Sequence, residues 1–92
     1  MSKSKAKNKD KIYNSIKEKL IKIVVDFTET EFLVEKQFDD GGTHFMIYMP
    51  ESAKESFNRV LFENAVIEEL GRVRKMICYV PAGYIENFLK AR

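Results

Sequence analysis

Residues Phe32 to Met49 limit the fold more than any other part of this chain. Two strand-like runs, EFLVEKQF and THFMIYM, are joined by Asp39-Asp40-Gly41-Gly42, whose glycines can take the positive φ that a tight turn demands. The stretch reads as a hairpin, and the remaining residues must supply what packs on it. Phe32, Val34 and Phe38 alternate with Leu33, Glu35 and Gln37, while Phe45, Ile47 and Met49 alternate with His44, Met46 and Tyr48. The first set of each run is expected to face the helices. The second run is apolar on both sides, which a sheet with one wet face does not need. Met46 and Tyr48 are therefore expected to be covered by the last helix, a partner or a second copy of the chain.

Before the hairpin, Ile12, Ile16, Leu20, Ile23, Val24 and Phe27 recur at three- and four-residue spacing, which predicts a helix from an Asp10 N-cap to about Thr28. The β-branched run Ile23-Val24-Val25 also suits a strand over residues 21–28, but Glu29-Thr30-Glu31 offers no residue that would turn such a strand back into Phe32. After the hairpin, Pro50 stops the strand, and Ser52-Ala53-Lys54-Glu55 has the spacing of a capping box. A second helix is predicted from there to Leu70, with Gly71 as its C-cap. Phe57, Val60, Leu61 and Ile67 form one apolar stripe on it, and Phe62, Val66 and Leu70 lie on a different side, so burial on more than one side is expected. Met76-Ile77-Cys78-Tyr79-Val80, ended by Pro81, reads as a third strand, and Tyr84, Ile85, Phe88 and Leu89 share one face of a short closing helix. The expected fold is thus a small α+β domain in the order α-β-β-α-β-α, with a three-stranded, mostly antiparallel sheet and its helices mainly on one face. Residues 10–92 form that domain, and residues 1–9, MSKSKAKNK, hold nothing apolar enough to order them and are expected to be a disordered basic arm.

Composition narrows the function classes. A chain of 92 residues buries enough surface to fold without a disulfide or metal. Its one cysteine, Cys78, cannot form an internal bridge, and no apolar run approaches the roughly 18 residues of a membrane span, so a reducing cytoplasm is the expected setting. Charge is uneven. Residues 1–22 hold eight lysines against Asp10 and Glu18, a net +6; residues 29–69 carry a net −7, and residues 70–92 a net +4. A polyanion is drawn to the ends and repelled by the middle unless folding brings both ends to one side.

Candidate chemistry is thin. Asp39, Asp40 and His44 lie near one turn but lack a fourth ligand and a recognised spacing, so no metal site is assigned. Cys78 lies mid-strand in apolar company, which favours an inert thiol, and a dyad with His44 has nothing in the sequence to support it. Gly41-Gly42 is followed by no Gly-Lys-Ser/Thr and leads into a strand, so it is no phosphate loop. No catalytic residue, cofactor, small-molecule substrate or membrane partner is expected.

The element order is similar to that of several small α+β modules, type II KH-like domains and BolA-like proteins among them. KH domains grip nucleic acid with a Gly-x-x-Gly loop, and the glycines here, Gly41, Gly42, Gly71 and Gly83, have no such spacing. The similarity is one of topology, and no functional residue carries over.

Two readings follow. In the first, the protein is a non-catalytic interaction module, an adaptor, an inhibitor of another protein or a homodimer, binding through Met46, Tyr48, Phe62 and Val66 with an acidic rim of Glu63 and Glu69. In the second, it is a nucleic-acid or ribosome-associated accessory protein holding phosphates with Lys3, Lys5, Lys7, Lys9 and Lys11 and with Arg72, Arg74 and Lys75. Those last three cations are equally suited to guarding an exposed edge strand. The acidic middle of the chain favours the first reading.

Overall fold

The hairpin organises the computed structural model, which describes the backbone of residues 2–90 and the side chains of residues 11–90. Strands β1 (Leu33–Asp39) and β2 (Gly42–Pro50) pair antiparallel from Leu33 opposite Tyr48 to Asp39 opposite Gly42. Gly42 has φ 107°, a conformation that any Cβ would strain, so the turn needs glycine there. Strand β3 (Lys75–Val80) joins the other side of β2 in parallel, with Ile47 beside Ile77. The sheet order is β1-β2-β3, one antiparallel and one parallel pairing. The sheet is therefore mixed, and the expected α+β domain in the order α-β-β-α-β-α is the fold observed. Parallel pairing follows from the connection, since the helix between β2 and β3 carries the chain back to the end where β2 began.

Helix α1 (Ser2–Phe27) and helix α2 (Arg59–Leu70) cover one face of this sheet. Their Leu20, Ile23, Val24, Phe62 and Val66 meet Val34, Phe45, Ile47 and Met49 from the strands, all buried. Phe62 is the hub: its ring lies edge-on to Phe27 with centroids 5.9 Å apart and tilted against Phe57 at 5.1 Å. Residues 21–27 are helical, and the strand alternative is not realised. Ile12, placed on the buried stripe by its spacing, is 58% exposed, and the residues of this helix that pack on the core begin at Tyr13. The helical backbone also continues to Ser2 through the stretch expected to be a disordered arm; lysine and alanine are good helix formers, and Asp10 lies inside the helix instead of capping it.

The start of α2 departs from the sequence reading. Ser52 does not open an α-helix. Glu51–Ala53 make a single 3-10 turn that drops Ala53 and, after a further turn, Phe57 into the core, and the cap of α2 is Asn58, whose side-chain oxygen accepts from the Leu61 amide at 3.1 Å. Burying Phe57 demands a break in the helix that the local spacing of Ser52 and Glu55 could not foresee. The other end agrees with expectation: Gly71, at φ 76°, caps α2 and donates its amide to the Ile67 carbonyl at 2.9 Å. Phe38 also departs. It lies on the helix side by alternation, yet burial on that side stops at Phe45, and Phe38, further toward the turn, is 83% exposed.

Candidate interaction surface

The register puts Leu33, Glu35 and Gln37 of β1, His44, Met46 and Tyr48 of β2, and Met76, Cys78 and Val80 of β3 on the second face of the sheet. Helix α3 (Tyr84–Lys90) lies across part of it. Ile85 and Val80 are buried on this side, apart from the helix-side cluster. Tyr84 and Phe88 of α3, with Leu33, Glu35, Lys36, Gln37 and Tyr48, line a cleft of about 260 Å³. Gln37 Nε2 donates to the Tyr48 hydroxyl at 3.3 Å and closes one wall. Seven residues of helix span about 10 Å, which roofs one end of the face and leaves the other open. At the open end Met46 and Cys78 are half-buried and Met76 is 60% exposed, while Tyr84, Phe88 and Leu89 keep apolar surface on the rim.

Two residues assigned to this surface from sequence do not belong to it. Phe62 and Val66 are fully buried in the core, because the helix turns that stripe toward the sheet and α1. The stripe left outside is Val60, Leu61 and Ile67, at 70%, 54% and 51% exposure. Spacing showed two apolar sides on α2 and could not say which one the sheet would take. Met46 and Tyr48 do lie on the half-roofed face, Glu69 is exposed on α2, and Glu63 is half-buried. Met76 is the surface residue that the sequence reading missed; its alternation with Ile77 was the available signal.

The basic cluster is largely spent on contacts within the chain. Lys75 keeps only 7% of its side chain exposed and places Nζ 2.8 Å from Glu63 Oε2 and 3.4 Å from the Val73 carbonyl. Arg74 reaches the hairpin turn, with Nη1 3.4 Å from Asp39 Oδ1, and its guanidinium covers Gly41 so closely that a Cβ there would lie 2.9 Å from Nη1. Asp39 Oδ1 also accepts from the Gly41 amide at 2.8 Å. That amide and then the Arg74 guanidinium hold the Asp39 carboxyl below its ordinary range, against desolvation acting the other way. Arg72 is exposed, as is Lys11 on α1; the side chains of Lys3, Lys5, Lys7 and Lys9 lie outside the described residues.

His44 Nδ1 lies 3.3 Å from Asp39 Oδ2, out of line for a hydrogen bond, and is a buried nitrogen without one; the Tyr79 hydroxyl is the other such buried atom among the described residues. His44 lies four strand positions from the level of Cys78, on the order of 13 Å, so these two do not form a dyad. Asp39 and His44 are brought together without a third ligand: among the described residues no group of three His, Cys, Asp or Glu could hold a metal ion. Nor is any described helix long and apolar enough to cross a membrane. Compared with known proteins, the chain matches no family model, no curated protein and no solved structure.

Proposed function

We propose that the protein is a non-catalytic interaction module of a reducing compartment that binds a protein partner through the half-roofed face of its sheet. One observation carries this reading: the second face is apolar at Met46, Tyr48, Met76 and Cys78, and α3 is too short to cover it. Tyr84, Phe88 and Leu89 extend the apolar area upward from the sheet, giving a floor and one wall against which an apolar segment could pack. Met side chains suit such a role, since their flexibility lets them adapt to an incoming surface. The nucleic-acid reading loses support, because two of the three cations it drew from residues 72–75 are paired with Glu63 and Asp39.

The test compares the full chain with a Met46→Glu variant of unchanged helical circular dichroism. Met46 lies on the central strand and away from both sheet edges. Proteins captured from the native host by the wild type and lost by the variant support the reading. Identical recovery by both removes the face as the binding surface. Tight binding of mixed short RNA or DNA by the full chain, falling steeply with salt, would restore the nucleic-acid reading.

A further inference from the structure

We infer that two copies of this chain pair through the outer edges of β3, making one continuous six-stranded sheet with the two α2 helices side by side. The inference goes beyond the interaction reading: it rests on a different surface, the edge of β3 and a flank of α2, so each can fail alone.

The first observation is the backbone row. The Phe45 amide donates to the Arg74 carbonyl at 2.9 Å, which fixes the phase of β3. Arg74, Met76 and Cys78 therefore address β2, and Lys75, Ile77 and Tyr79 turn their N–H and C=O groups outward, where no described strand meets them. Exposed edges are normally blunted by a charge, a proline or a bulge. The strand β3 has one charge, Lys75, and its ammonium is folded onto Glu63 with the side chain 7% exposed. What remains facing a second strand is Met76-Ile77-Cys78-Tyr79-Val80. The opposite edge is different: β1 carries Glu35, Lys36, Gln37 and Asp39.

The second observation is on α2. Glu63 reaches Lys75, and Ile67 lines a groove of about 440 Å³ with Arg72, Val73, Arg74 and Lys75, so the flank of α2 holding these residues overhangs the β3 edge. Val60 lies on that flank, seven positions before Ile67, and the two are 70% and 51% exposed. A helix over β2 and β3 and its copy across a two-fold axis lie two strand spacings apart, about 10 Å, which is the distance at which helices pack.

Both observations select an antiparallel register. Ile77 opposite Ile77 of the second copy, with Lys75 opposite Tyr79 on either side, uses every outward group of the strand. The interface is isologous, and the rotation closes it at two copies. It also places Met76 directly opposite Cys78 of the second copy on the open face, at a non-hydrogen-bonded pair with Cβ atoms about 5 Å apart.

Sedimentation velocity over a concentration series on the full chain tests the pairing, with Val60→Glu/Ile67→Glu and Met76→Cys as variants. A dimer is expected. The double glutamate variant, at exposed positions, is expected to keep its circular dichroism and raise the dimer dissociation constant by about tenfold or more. Met76→Cys is expected to give a disulfide-linked dimer through Cys78 of the second copy under mild oxidation, and the wild type, with Cys78 alone, is not. A monomer at all concentrations would overturn the inference. So would a dimer that survives the glutamates and fails to cross-link; if Met46→Glu dissociates that dimer, the open face is the interface and the interaction reading stands without the edge pairing.

Discussion

The two faces of the sheet are built from the same three strands and end in different states. On the α1 and α2 side, Val34, Phe45, Ile47 and Met49 meet two helices and are all but inaccessible. On the α3 side the same strands offer Met46, Tyr48, Met76 and Cys78, residues of comparable hydrophobicity, and one short helix covers part of them. The difference lies in what is available to pack, since the side chains of β2 are apolar on both sides. A strand with two apolar faces needs two roofs, and the described residues provide one and a fraction.

If the helix-roofed face carries the stability, substitutions there dominate. Phe62→Ala removes the hub of three contacting rings and is expected to cost about 3–5 kcal/mol in urea unfolding. On the α3 side Ile85→Ala removes a side chain 1% exposed from a much smaller cluster, and the expected cost is about 2 kcal/mol, at the low end for such truncations. Equal losses at Phe62 and Ile85 would break the contrast between the faces. The roof itself can be probed at its cap: Asn58→Ala removes the acceptor of the Leu61 amide and is expected to cost about 1 kcal/mol. Ser52→Ala is expected to change stability by less than about 0.5 kcal/mol, since Ser52 is exposed and does not cap α2. A larger loss at Ser52 than at Asn58 in the same unfolding series would return the start of α2 to the capping-box position.

Much of the architecture was legible because it rests on short-range rules. The Asp39-Gly42 turn needs residues tolerant of positive φ, Gly71 stops α2 for the same reason, and alternation in β2 names Phe45, Ile47 and Met49 as one buried set. Of the candidate surface, Met46 and Tyr48 were legible by the same alternation. Phe62 and Val66 were misassigned because periodicity gives the apolar sides of a helix without saying which meets the sheet. Lys75 and Glu63 were read as members of opposing binding surfaces, one for phosphate and one for protein, and they are each other's partner.

The sequence by itself determined the hairpin, the order of elements, the C-cap of α2 and the alternating sets of β2, since each depends on neighbours a few residues apart and on the φ that a residue tolerates. Only the tertiary structure decided the parallel pairing of β3, the burial of Phe57 that moves the start of α2 to Asn58, the inward turn of Phe62, and the capture of Lys75 and Arg74 by Glu63 and Asp39. The physical reason is the same in each case: these outcomes depend on what lies opposite a residue across the core, and local spacing carries no record of it.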